Sequence, residues 1–155
     1  FGVGLLRPAP GTWGSAAAVA LGVLFCELGG AWLVPVGTVL ATLLGFWAVA
    51  RAFAGLADKD PSEIVIDEVA GQWLAMSFTV IPLWWHGVSI LAAWPGFVAP
   101  FLLFRLFDIW KPWLVGRADR RGDAVGVMLD DLWAGLFAGV VSVLLAGLYH
   151  GVLAQ

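Results

Sequence analysis

Phe104-Arg105-Leu106-Phe107-Asp108-Ile109-Trp110-Lys111-Pro112-Trp113, then a basic loop, then Gly126-Val127-Met128-Leu129-Asp130-Asp131-Leu132-Trp133-Ala134-Gly135, decide how this chain is read. Charges of both signs sit between oily runs, and two adjacent carboxylates lead straight into a hydrophobic segment. Charge at the edge of an apolar run is costly and marks a candidate functional position.

The surroundings of that stretch define the class. Of 155 residues, 61% are hydrophobic and 12% charged, and the mean hydropathy is +0.93. An average soluble domain is about a quarter charged, so the composition indicates a membrane protein, and the length a single membrane-embedded domain over residues 1–155. A net charge of −3 gives no electrostatic case for nucleic acid. Ten Trp suit the two interfacial belts of a bilayer as well as a packed core. The one cysteine, Cys26, lies in an apolar run and can form no intramolecular disulfide. The opening Phe1 leads us to expect residues ahead of it, and no signal peptide is evident.

Working outward, the pattern predicts an all-α, polytopic bundle of about four to five transmembrane helices. Pro and Gly in residues 1–12 argue against a regular helix there, and Thr12 is placed to cap a helix over Trp13–Leu28 that ends at Gly29-Gly30. A second apolar run, Ala31–Ala50, ends at Arg51. Asp60-Pro61-Ser62-Glu63 reads as a helix start, with a cap, Pro at the first position and an acid at the third. Val69–Phe104 is uncharged with His86 neutral, and is too long for one span. Pro82 and Trp84-Trp85-His86-Gly87 are expected to split it, and Pro95 and Pro100 to kink or interrupt its second half. A last run starts at Leu132. With five spans, all eight Lys and Arg and ten of the eleven acids fall on one side, which the positive-inside rule places in the cytoplasm.

Three acidic groups then lie at cytoplasmic helix ends: Asp67-Glu68, Asp108 and Asp130-Asp131. Asp67 precedes Gly71 by four residues, and Asp131 precedes Gly135 by four. Small residues one turn above the acids would let two helix backbones approach closely and bring the carboxylates together. Crowded carboxylates repel unless a cation binds or some protonate. Magnesium fits hard oxygen ligands and shares its shell with phosphates. Zinc is disfavoured, because the charged stretches hold no His or Cys. Arg105 and Lys111 flank Asp108 at three-residue spacing and can hold phosphate oxygens. The helix N-terminus at Gly11-Thr12 offers further donors to an anion. A structural alternative makes these charges ordinary salt bridges at helix ends, and Arg117, Arg120, Arg121 and Asp123 read as solvated or lipid-surface charges. No thiolate, paired-His or Gly-x-x-x-x-Gly-Lys site is present.

Three blocks carry a resemblance to the phosphatidylglycerophosphatase A family, in order over nearly the whole chain: Pro10-Gly11-Thr12-Trp13-Gly14-Ser15; Ile64-Val65-Ile66-Asp67-Glu68-Val69-Ala70-Gly71; and Phe104-Arg105 through Asp108-Ile109-Trp110-Lys111-Pro112-Trp113 with Asp130-Asp131 and Ala134-Gly135. The Asp-x-Trp-Lys-Pro-Trp block is specific; Pro-Gly-Thr alone is weak. Two positions depart from the pattern. Val69 stands where the family often has a bulky aromatic, and Asp123-Ala124-Val125-Gly126 where it usually has a Gly-Gly pair. The resemblance implies helices grouped around one central helix, and magnesium-dependent removal of phosphate from phosphatidylglycerophosphate to give phosphatidylglycerol, in the bacterial inner membrane with the site facing the cytoplasm.

On this reading Asp67, Glu68, Asp130 and Asp131 hold Mg2+, Asp108 is a further ligand or a general base, and Asp131 and Lys111 belong to the catalytic set. Arg105, Lys111 and Thr12 bind the phosphate, and water attacks phosphorus in line. Two rivals remain. A divalent-cation channel or transporter would put its acids near mid-span rather than at helix ends, and another lipid-phosphate or head-group transferase would share most of these features.

Overall fold

The computed structural model describes residues 9–55 and 65–153. It contains α1 (Pro10–Gly29), α2 (Leu33–Gly55), α3 (Ile66–Trp85), α4 (Pro95–Trp110), α5 (Trp113–Asp119) and α6 (Ala124–Leu148), the last running into a π-helical turn at Tyr149–Leu153. No strand occurs among the described residues. Among the described residues, three segments can cross a membrane by length and composition: Pro10–Gly29, Leu33–Gly55 and Ala124–Gly151. The 16 residues of α4 rise about 24 Å at 1.5 Å each, short of a ~30 Å hydrocarbon core.

Several local expectations are corrected. Thr12 does not cap α1. The helix begins three residues earlier, with Ala9 at the cap position and Pro10 at the first turn, where a fixed φ and a missing N–H cost nothing. The second helix continues past the apolar run and Arg51 to Gly55; the guanidinium lies 4.8 Å above the Trp47 ring one turn back. The expected start at Asp60-Pro61-Ser62-Glu63 lies outside the described residues. Pro95 opens α4 instead of kinking it. The last helix begins at Ala124, eight residues ahead of the apolar run that starts at Leu132, because Asp123 caps it by accepting from Gly126 N at 2.7 Å. The loop expected after Lys111 contains the short helix α5.

Pro100 does sit inside α4. It cannot donate to the Gly96 carbonyl, and Thr79 Oγ1 of α3 reaches that oxygen at 2.5 Å. A neighbouring helix thus takes up the group the proline frees.

The third helix is the centre of the bundle, touching α1, α2, α4 and α6. Its contact with α6 is the most extensive, and glycine explains why. A methyl at Gly71 would lie 2.5 Å from the Asp131 carbonyl oxygen, and one at Gly135 would collide with the Gly71 carbonyl. The two backbones therefore touch, as the small-residue spacing suggests. Around this seam are two apolar clusters. One packs Val34, Trp73, Met76 and Met128 between α1, α2, α3 and α6. The other gathers Ala75, Val115, Ala134 and Ala138 around Phe104 of α4. Trp73 also ties α3 to α1 by donating from Nε1 to Ala18 O at 2.7 Å.

Candidate active site

The acids stand at one end of the bundle because of how its helices begin and end. Asp67 and Glu68 occupy the first turn of α3, where the positive end of the helix dipole favours them. Asp130 and Asp131 lie in the second turn of α6, and Asp108 in the last turn of α4. The Gly71–Gly135 seam closes the gap between α3 and α6. One carboxylate oxygen from each of Asp67, Glu68 and Asp131 then lies within 4.8 Å of the others. Asp67 and Asp131 are buried, Asp131 with 4% of its surface exposed. Glu68 Oε2 is buried without a hydrogen-bond partner. Asp108 is close enough for its charge to act on Asp67, Glu68, Asp130 and Asp131 alike.

The remaining expected residues fall into two groups around this triad. Arg105 Nη1 lies 2.6 Å from Asp108 Oδ2, one turn apart on α4. This contact is an ion pair by distance but lacks hydrogen-bond geometry, and Nε and Nη1 are buried without a hydrogen-bond partner. The first turn of α1 closes over the same place. A methyl on Gly11 would sit 2.5 Å from Glu68 Oε1 and 3.2 Å from Arg105 Nη1. Gly11 is therefore wedged between the carboxylate and the guanidinium. Thr12, half-buried beside it, makes no cap hydrogen bond.

The second group is built by an elbow. Lys111 ends α4 in the left-handed conformation (φ 51°), and Pro112 prevents the helix from resuming. Trp113 also has positive φ, at 41°. The turn swings Lys111 Nζ to 3.1 Å from Asp130 Oδ2 and into contact with Asp119 Oδ1 on α5. Burial alone would lower the Lys111 pKa, but the hydrogen bond to Asp119 and the charge of Asp130 outweigh it and hold it above its usual value. The Asp130 carboxylate is thus engaged with Lys111, while its Oδ1 accepts from Asp131 N at 3.0 Å. Asp130 stands apart from the triad although it is adjacent to Asp131 in sequence.

Sequence reading missed three members of this neighbourhood. Asp119 carried no signal, because its role depends on the elbow. Gly11 was read as a helix-end residue without its contacts. Gln72, fully buried with both amide atoms unpaired, did carry one: apart from Gln155 at the C-terminus it is the only amide side chain in the sequence.

Taken together, an all-helical fold with membrane-crossing segments and acids and an arginine gathered at one end defines a membrane protein equipped to handle a charged head group. The family model for phosphatidylglycerophosphatase A matches residues 1–146. The chain is 36% identical over 142 residues to the Haemophilus influenzae phosphatidylglycerophosphatase A, covering 91% of this chain and 81% of that one. It is 31% identical over 144 residues to the Escherichia coli phosphatidylglycerophosphatase A, covering 91% and 77%. A Bacteroides thetaiotaomicron protein, provisionally named a phosphatidylinositol-3-phosphatase, is 34% identical over 145 residues, covering 91% and 86%. No solved structure matches the chain. The chain belongs to the phosphatidylglycerophosphatase A family and is an enzyme, a phosphoric monoester hydrolase.

Proposed function

We propose that this enzyme removes the terminal phosphate of phosphatidylglycerophosphate, giving phosphatidylglycerol, at the cytoplasmic face of a bacterial inner membrane and with the help of Mg2+. The observation that carries the proposal is the convergence of Asp67, Glu68 and Asp131 within 4.8 Å, beside an Arg105 whose Nε and Nη1 lack hydrogen-bond partners, in a chain of this family.

The donor set suits magnesium. The triad offers only carboxylate oxygens, one of them, Glu68 Oε2, buried and unpartnered. Three oxygens within 4.8 Å of one another could be drawn onto a single ion. Asp67, Glu68 and Asp131 would hold the ion, and Asp130, engaged with Lys111, would support Asp131 from behind. When bound, magnesium supplies positive charge that offsets the charge on the phosphoryl oxygens.

The chain's own residues then have distinct tasks. Arg105 grips phosphate oxygens with its fork, held in place by Asp108. The free amides at the start of α1, beside Gly11 and Thr12, add donors to the same anion. A carboxylate oxygen of Asp108 takes the proton of the attacking water. Lys111 neutralises Asp130 and adds positive charge at the rim. Water would attack phosphorus in line, with catalysis resting on positioning and electrostatics.

The test is release of inorganic phosphate by purified protein from phosphatidylglycerophosphate and, in parallel, from phosphatidylinositol 3-phosphate. Preferential release from the first supports the proposal. Preference for the second would align this chain with the Bacteroides relative, and release from neither would end the functional reading.

A further inference from the structure

Buried polar groups in this bundle mostly satisfy themselves on their own helix. Ser15 donates to Gly11 O at 2.8 Å, Thr38 to Val34 O at 3.0 Å, and Ser142 to the carbonyl four residues back at 2.7 Å. Gln72 does not. It has no exposed surface, and neither Nε2 nor Oε1 has a partner. An amide left unpaired in such surroundings is strongly unfavourable. The other unpaired buried side-chain atoms among the described residues are Glu68 Oε2 and Arg105 Nε and Nη1, all within the site.

Its position relates Gln72 to that site. It follows Glu68 by four residues on α3, which places it on the same helix face and about 6 Å further into the bundle. Helix α1 packs along this face, with Gly14 against Val65 and Glu68 and Gly22 against Met76. Gln72 falls between those two contacts.

The chemistry of an amide selects its ligand. A terminal phosphate offers only acceptors and would leave Oε1 unpaired. A hydroxyl both donates and accepts, and so matches an amide that must do both. In a lipid whose head group is a phosphorylated glycerol, a free hydroxyl lies next to the phosphate on the bilayer side. We infer that Gln72 is a substrate-binding residue that hydrogen-bonds the free hydroxyl of the head-group glycerol, one helix turn deeper than the phosphate, and so selects polyol head groups. This rests on the functional reading above.

The test uses two lipids in detergent: phosphatidylglycerophosphate and an analogue whose head-group glycerol is replaced by propane-1,3-diol, which lacks that hydroxyl. Wild type is expected to favour the hydroxyl-bearing lipid by about 10- to 100-fold in kcat/KM, the scale set by leaving a buried neutral polar group unpaired. Gln72→Leu, and Gln72→Met as a second apolar replacement, should lose that factor on the natural lipid and keep wild-type kcat/KM on the analogue. Equal use of both lipids by wild type overturns the inference without any variant. A parallel loss on both lipids overturns it too, and makes Gln72 structural. Phosphate release by wild type from neither lipid would overturn the functional reading itself, and this inference with it.

Discussion

Asp131 carries more of the account than any other residue. It is nearly inaccessible, shares the triad with Asp67 and Glu68, and its own carbonyl forms part of the glycine seam. The acids were legible in the sequence because charge inside an apolar run is rare enough to single out. Their division of labour was not. Asp130 and Asp131 look equivalent as neighbours, yet successive helix positions are about 100° apart, so one joins the triad and the other meets Lys111. Lys111 reaches Asp130 only through a left-handed residue at the end of α4, a geometry that no spacing rule announces. Gln72 was overlooked for a different reason: an uncharged amide does not interrupt an apolar run. Asp131→Asn keeps the shape and removes the charge. We expect it to reduce turnover by about 100-fold or more, since even loss of an outer-shell partner of a metal ligand costs about 10- to 100-fold. Its melting temperature in detergent should be no lower than wild type, since one member of a crowded set of carboxylates is neutralised. Near-normal turnover would remove Asp131 from the site.

At the scale of helices, the approach of α3 to α6 converts two separate acidic turns into one cluster. The sequence pointed to this through matched four-residue spacings, Asp67 to Gly71 and Asp131 to Gly135, and the two glycines do meet. Helix boundaries were less legible, for identifiable reasons. Proline signals a break but not on which side of it the helix lies, so Pro10 and Pro95 proved to open helices. The seven residues of α5 are too few to show a periodic pattern. Gly135→Ala tests the seam. Its methyl would strike the Gly71 backbone, and backbone at this position has no flexible end to yield. We expect a loss of stability of about 1–3 kcal/mol from overpacking, read by thermal unfolding, together with a fall in turnover as the acids separate. A variant as stable and as active as wild type would show that the helices need not touch.

For the molecule as a whole, the polarity of the helices brings the starts of α1, α3 and α6 and the end of α4 to one pole, where the acids, Arg105 and Lys111 collect. The membrane character followed from composition, because 12% charge is about half that of an average soluble domain, and the all-helical class from the run of long apolar segments. The number of crossings is harder to read from hydropathy, because α3 carries acids and a glutamine and α4 is short. The positive-inside rule predicts that the charged pole faces the cytoplasm. Cysteine substituted at Arg120, on a chain with Cys26 replaced by Ser, should react with a membrane-impermeant maleimide only after inner-membrane vesicles are inverted or cells are opened. Labelling in intact spheroplasts would reverse the orientation.

The central claim is that the carboxylate triad serves a divalent cation needed for hydrolysis of the lipid phosphate. Phosphate release from phosphatidylglycerophosphate, followed as magnesium is removed with EDTA and then restored, tests it most directly. The account predicts background rates in EDTA and full recovery when magnesium returns. Turnover that persists unchanged in EDTA would contradict it.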